Sequence, residues 1–344
     1  MTTRRAHARG VSRRALLGGA VAAATVGSGV AGCSREAPPE RPAGVPVSSF
    51  DAKSTAADVA KALDLGGKAY LVTGGTSGLG FETARVLASQ GADVLLTGRT
   101  EAGARDAAAR IGGRCTGLAL DLAVPESVVA CARTVIGLGI ALDGLVCNAG
   151  IMRQSERLII EGIEEHFAVN HLGHFLLARL LLSRVQAAPQ GRVVVVSSSA
   201  WKWAPETGID FEDLAGRRDY SANKAYGQSK LANALFALEL ARRLEGGTTT
   251  SNAVNPGPVD TRLWRYTPGW QRALLAPFKG LLLKSVEVGA ATQTYVATAP
   301  ALAAVSGHCF QDCNPFVPPS RVRDAALARR LWDYSENWAA PYLS

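Results

Sequence analysis

Residues 69–80 read Ala69-Tyr70-Leu71-Val72-Thr73-Gly74-Gly75-Thr76-Ser77-Gly78-Leu79-Gly80, and a stretch of helical periodicity follows to Gln90. Four apolar residues in a row predict a strand covered on both faces. The glycines then break it, and the chain restarts as a helix. Glycines at 74, 78 and 80 permit a tight turn and bring backbone close to a pyrophosphate. The helix start offers free N–H groups and partial positive charge to an anion. The spacing is Gly-x-x-x-Gly-x-Gly rather than Gly-x-Gly-x-x-Gly. Its position directly after the first strand favours a dinucleotide-binding turn, with Gly74, Thr76, Ser77, Gly78, Leu79 and Gly80 as contacts.

Working outward, the same alternation repeats. Short β-rich runs occur at 93–97, 116–120, 144–147, 192–197 and 251–254. Helical stretches lie between them at 78–90, 101–111, 125–136, 163–185 and 220–244. Strands alternating with helices predict a single α/β domain, a doubly wound parallel sheet of Rossmann type over residues 66–344. The binding crevice of such a sheet lies at the carboxyl ends of its strands.

The strand ends supply further candidates. Thr97-Gly98-Arg99 closes the second strand, where an NAD site usually carries a carboxylate for the ribose 2′-OH. Here Arg99 is cationic and suits a 2′-phosphate, which favours NADP; Glu101 keeps NAD open. Asp121 and Leu122 follow the third strand, placed to meet the adenine. Asn148-Ala149-Gly150 closes the fourth, its small residues leaving the cofactor room to pass.

Ser198, Tyr226 and Lys230 carry the chemistry. Ser198 ends the apolar run Val193-Val194-Val195-Val196. Tyr226 and Lys230 are four apart in a helical stretch and so share a face. A phenol titrates near pH 10 and needs a neighbouring cation to exchange protons near neutrality. Lys230 and an oxidised nicotinamide supply positive charge, which must outweigh burial. Tyr226 is then the general acid–base for a carbonyl/alcohol pair, and Ser198 holds the same oxygen.

With these motifs the chain resembles a short-chain dehydrogenase/reductase, most closely the retinol-dehydrogenase and WW-domain-oxidoreductase branch. The resemblance rests on 73–80, Asn148-Ala149-Gly150, Asn170, Ser198, Tyr226 with Lys230, and the run from Asn255 to Thr261. Phe211-Glu212-Asp213-Leu214, the block 224–233 and the tail Arg330-Leu331-Trp332 are also similar to that branch. It implies a hydride transfer between nicotinamide and a hydroxyl-bearing carbon. It implies that Asn170 completes a tetrad, bending a helix and holding a water that links Lys230 to solvent. Lys230 would also reach the nicotinamide ribose. Pro256, Gly257, Val259 and Thr261 would meet the nicotinamide end, and 262–284 would form a substrate lid. Among the serines, 198 is favoured while 197 and 199 stay open. A homo-oligomer through helices 163–185 and 220–244 is implied too. The lid segment mixes Trp264, Tyr266, Trp270 and several leucines with five basic residues and no acid. That suits a lipophilic alcohol or carbonyl, with a basic edge for anionic lipid. Trp201 and Trp203 either line the pocket or pack the loop.

The leader departs from the family. Arg13-Arg14 before a mild apolar stretch resembles a twin-arginine export signal, and Val30-Ala31-Gly32-Cys33 resembles a lipobox. Residues 1–33 are therefore expected to export the protein and anchor it on the outer membrane face through lipid on Cys33; a cytoplasmic enzyme is the alternative. Residues 34–65, with Pro38, Pro39, Pro42 and Pro46, are expected to be a tether whose 56–65 piece docks on the domain. Export strands the protein away from NADPH, so a nucleotide-binding protein of this fold with little turnover is the competing reading.

Composition removes other classes. Apolar residues make up 47% of the 344, enough to bury a core. Past residue 40 no apolar run nears the roughly 20 residues of a membrane span. Net charge is +8, but five arginines precede residue 33 without any acid; setting them aside turns 37 basic against 29 acidic into 32 against 29, about +3. Nucleic-acid binding loses its support. Six cysteines make no disulfide framework. Cys309 and Cys313 favour free thiols, with a disulfide open on export, and Cys115, Cys131 and Cys147 read as core. His171 and His174 read as packing or surface residues, and no Cys/His spacing suggests a metal.

Overall fold

The computed structural model describes residues 39–152, 156–259 and 283–343. The leader, Cys33, Thr261 and residues 262–282 of the expected lid lie outside the described residues. An eight-stranded sheet forms the centre, in the order β10-β9-β8-β7-β4-β1-β2-β3. Its members are β1 (Ala69–Val72), β2 (Asp93–Gly98), β3 (Cys115–Ala119), β4 (Gly144–Cys147), β7 (Arg192–Val196), β8 (Thr250–Asn255), β9 (Cys309–Gln311) and β10 (Asn314–Phe316). All pairings are parallel except β9 with β10. A small antiparallel pair, β5 (Ile159–Ile160) and β6 (Ile163–Glu164), stands apart.

Register places Leu95, Leu71, Leu145 and Val193 in one row across four strands. That row faces one core, shared with α4 (Pro125–Gly137), α6 (Gly173–Gln186) and α7 (Ala222–Arg243). The alternate residues Tyr70, Val72, Val94, Leu96, Val146 and Val194 face a second core with α2 (Gly78–Ser89) and α3 (Glu101–Ile111). A period of two along fully buried strands is what two helical layers require. The sequence turns back between β1 and β4, the expected switch point for a ligand.

Before α6 the chain passes through α5 (Glu165–Phe167) and one π-helical turn, Ala168–Leu172. Asn170 sits in that turn, so the helix does depart from regular geometry there. After β8 come the short α8 (Val286–Gly289), the buried α9 (Ala291–Thr298) and, last, α10 (Ala325–Ala339). Helix α10 packs on α6 and α7, with Trp332 against Phe175 and Phe236. Part of the helix surface implied for subunit pairing is thus occupied by the chain's own C-terminal helix.

The described part of 34–65 differs from a loose tether. Ser48 donates to the Cys313 carbonyl at 3.0 Å, Phe50 meets Tyr295 edge-on at 5.7 Å, and Val45 and Leu63 pack on the second core. Prolines keep this stretch out of the sheet ladder, yet its apolar side chains still find the edge near β10. Within the 56–65 piece, α1 (Ala56–Ala60), capped by Thr55, buries Ala56, Val59 and Ala60. Cys309 and Cys313 are free. Cys309 begins β9 and Cys313 lies in the β9–β10 turn, and they belong to cores on opposite sheet faces, so they cannot meet. Cys131 and Cys147 are buried as expected; Cys115 is only half-buried.

Candidate active site

At the end of β1 the backbone turns at Gly74 (φ +68°) and Gly78 (φ +60°), conformations that favour glycine. A Cβ at Gly80 would lie 2.4 Å from Asn148 Nδ2 and 2.5 Å from the Gly74 carbonyl, so only glycine lets α2 begin so close to β4. Ser77 occupies the N-cap of α2 without a side-chain cap bond. The first-turn N–H groups lack intrahelical partners and can receive an anion. Thr76 lies against Gly98, where a Cβ would come within 2.5 Å of its methyl. These contacts form a cradle that fits a dinucleotide.

The sequence did not single out Thr73, yet it organises this turn. Its Oγ1 accepts from the Asn148 and Ala149 amides, each at 2.9 Å, while Asn148 Nδ2 donates to its carbonyl at 2.8 Å. His174 joins it: Nε2 lies 2.8 Å from Thr73 Oγ1 and Nδ1 lies 3.0 Å from the Asn170 carbonyl. His174 is therefore a buried bridge between the glycine turn and the π-turn, consistent with a packing role. Gln293 on α9 was also missed; it donates to Asn148 Oδ1 at 3.1 Å and to Thr83 at 2.6 Å.

Of the other strand-end residues, Arg99 is exposed, and no carboxylate pairs with it among the described residues. Glu101 is turned along α3 into an ion pair with Arg105. Asp121 accepts from the Ala123 amide at 3.0 Å, and Leu122 is buried. Gly150 leaves room beside Asn170 and Lys230: an added Cβ would sit 3.3 Å from Asn170 Oδ1 and 3.4 Å from Lys230 Nζ.

Ser198, Tyr226 and Lys230 line one crevice with Leu79, Asn148, Gly150, Ile151, Pro256, Gly257 and Val259. Ser197 donates to the Lys230 carbonyl at 2.6 Å and is buried, while Ser199 is exposed. Ser198 lines the crevice beside Tyr226, and its side chain pulls the phenol down against burial. Lys230 Nζ donates to the Val196 carbonyl at 3.1 Å and lies 5.7 Å from the Tyr226 ring centre. Asn170 grips the loop after β4: it accepts from the Ile151 amide at 2.8 Å and donates to the Ile151 carbonyl and Ser229 Oγ, both at 3.0 Å. Trp201 is buried against Phe316 rather than open to the crevice, and Trp203 is 40% exposed.

In the chain alone, burial governs the two titrating groups. Burial pushes the Tyr226 phenol up to about 12, against the opposing pull of the Ser198 side chain. Burial brings Lys230 down to about 8. Desolvation is the larger influence on both, and the Lys230 ammonium is engaged by the Val196 carbonyl. The chain alone holds a protonated phenol, ready to donate to a carbonyl oxygen.

A family model described as short chain dehydrogenase matches residues 68–272. The chain belongs to the short-chain dehydrogenase/reductase family. It is an NAD(P)-dependent oxidoreductase acting on CH–OH groups. Its relatives include Short-chain dehydrogenase TIC 32 B, chloroplastic, of Brassica napus, 40% identical over 84% of this chain and 93% of the relative. Polyprenol dehydrogenase of Mus musculus is 42% identical over 77% and 82%. Retinol dehydrogenase 14 of Mus musculus is 38% identical over 78% and 85%. A Burkholderia cenocepacia short chain dehydrogenase solved in complex with NADP aligns with TM-score 0.59 and 27% identity, over 72% of this chain and 97% of that one. In a reductase of this family the bound nicotinamide supplies or accepts the hydride. The residues that would hold it here are the glycine turn, Asn148 to Gly150, Lys230 and the Pro256–Val259 corner.

Proposed function

We propose that this protein is an NADP-dependent oxidoreductase for a lipophilic alcohol or carbonyl. The observation that carries the reading is the buried Tyr226, with Ser198 beside it and Lys230 one turn on, in one crevice that opens beside the glycine turn. Tyr226 donates its proton to the substrate oxygen in reduction and recovers one in oxidation. Ser198 orients that oxygen. Lys230 stabilises the phenolate that remains. Arg99, exposed and with no carboxylate paired to it among the described residues, supports NADP. Leu79, Ile151 and Val259 give the crevice apolar walls, and the polyprenol and retinol names of two relatives agree with a lipophilic substrate.

The test is NADPH oxidation by the full-length protein with retinaldehyde, a polyprenal and short aldehydes. Turnover of the long substrates is expected. Tyr226→Phe should lose about 10²–10⁴-fold in kcat while NADPH still binds. Binding without turnover, equal in wild type and Tyr226→Phe, replaces the enzyme with the nucleotide-binding reading. The same proposal takes residues 1–33 as a twin-arginine signal and Cys33 as lipidated. Mass analysis of the native protein should find a diacylglyceryl Cys33; an unmodified peptide that includes Met1 removes the export claim.

A further inference from the structure

The Pro256–Val259 corner forms one wall of the crevice, and the chain braces it from outside. Gly257 has φ +80°, and its amide donates to Asn255 Oδ1 at 3.1 Å. The stem of Lys284 lies along it: a Cβ at 257 would meet Lys284 Cε at 3.4 Å and Nζ at 3.5 Å. Lys284 also forms a parallel bridge with Val259, its amide donating to the Pro258 carbonyl at 2.9 Å. Its ammonium then pairs with Asp312, both side chains being half-buried.

Asp312 stands in a turn that is itself strained. Asp312 (φ +52°) and Cys313 (φ +59°) form the two-residue β9–β10 turn in left-handed backbone without a glycine. Such strain persists only where surroundings over-determine it, and here they do. Cys313 N donates to Thr292 Oγ1 at 3.1 Å. Asn314 donates to the Phe50 carbonyl at 2.8 Å and accepts from the Ser48 amide at 3.0 Å. A second tie runs from Asn255 Nδ2 to Gln311 Oε1 at 2.7 Å. The corner is therefore fixed to the hairpin on both sides, and the hairpin is fixed to the N-terminal strap.

We infer that Lys284 and Asp312 are a positioning pair that sets the Pro256-Gly257 corner against the nicotinamide end of the crevice, with Ser48 and Phe50 holding the turn beneath Asp312. The inference rests on the dinucleotide reading of that crevice. Lys284 stands at the 256–259 corner and Asp312 in the β9–β10 turn, so the pair acts on how the reactive ring is seated and not on whether the nucleotide binds. A small misplacement of reacting atoms costs up to about a hundredfold in rate.

The experiment compares full-length wild type with Lys284→Met, Asp312→Asn and Lys284→Arg. NADPH affinity, the emission of the bound nicotinamide, kcat and thermal stability are measured on each. Lys284→Met and Asp312→Asn should keep NADPH affinity within about threefold, lose the emission shift of the bound ring and drop kcat by about ten- to a hundredfold. Lys284→Arg, which keeps the charge, should restore most of both. Wild-type emission and kcat in Lys284→Met overturn the inference. So does a joint fall of affinity, stability and kcat that Lys284→Arg fails to rescue, which marks a merely structural pair. A wild type that leaves NADPH emission unchanged overturns the dinucleotide reading, and this inference with it.

Discussion

At the scale of single residues, Tyr226 and Lys230 make opposite departures for one reason, since burial penalises whichever form is charged. The phenol rises to about 12 and the ammonium falls to about 8. Raising the pH therefore discharges Lys230 long before it ionises the free phenol. Carbonyl reduction needs both the phenol proton and a cation to stabilise what that proton leaves behind. The kcat/KM profile for reduction, which reports free-enzyme groups, should thus fall with a midpoint near 8; a limb at 10 or above means burial does not hold Lys230. Arg99 decides a different question. An exposed guanidinium beside a 2′-phosphate makes charge-assisted hydrogen bonds. Arg99→Ala should weaken NADPH by about tenfold and leave NADH within about twofold. Equal losses for both nucleotides, measured by titration, would take Arg99 out of the site. The candidate set was legible because Tyr226 and Lys230 share a helix and Ser198 follows a strand. The balance at the phenol was not, since it depends on how deeply the ring is buried.

At the scale of elements, the central strands were legible from short apolar runs ended by glycine or polar residues. The last two were not. Each of β9 and β10 has three residues, and Asp312-Cys313 gives no glycine signal for their turn. The π-turn left no periodicity to read either, and only the family resemblance pointed to Asn170. That turn and α6 carry two buried histidines. His171 bonds Ser335 at 2.9 Å and His174 bonds Thr73 at 2.8 Å. Burial brings them down to about 3 and about 4, with smaller contributions from His174 on His171 and from Lys230 on His174. The unfolded chain takes up these protons below about 6.5, whereas the folded one refuses them until near 4 or 3. Stability is therefore lost as pH falls through that window, by about 1.4 kcal/mol per unit for each histidine. Urea titrations from pH 7 to 4.5 should show this decline, and His171→Gln should roughly halve its slope. A flat profile in wild type would mean that the two rings are already charged or that the helix opens to admit water.

At the scale of the whole molecule, both ends of the described chain close the fold on itself, which no local pattern announces. The strap at 45–50 looked like a linker because its prolines forbid regular structure, but contacts made 264 and 265 residues away in sequence hold it. Helix α10 was visible only as Arg330-Leu331-Trp332, with no sign of what it covers. Trp332 turns out to be buried at 6% exposure, 5.0 Å from Phe175 and 6.0 Å from Phe236, with Arg243 over its face at 4.3 Å. Phe236 lies on α7 nearly three turns past Tyr226, and Phe175 lies on α6 just after the π-turn that holds Asn170. The indole thus clamps α7, which carries Tyr226 and Lys230, to α6, which continues the turn that holds Asn170. Removing it leaves a cavity that rigid helices cannot collapse, costing about 3–5 kcal/mol. At roughly 2–4 °C per kcal/mol for a domain of this size, Trp332→Ala should melt about 6–20 °C lower. The tetrad's own hydrogen bonds stay intact, so kcat measured well below that melting point should fall less than about threefold, far short of the loss caused by Tyr226→Phe. Calorimetry and turnover on the same preparation test this together. A wild-type melting point, or a collapse of kcat at full stability, would show that α10 does not hold α6 and α7 in place.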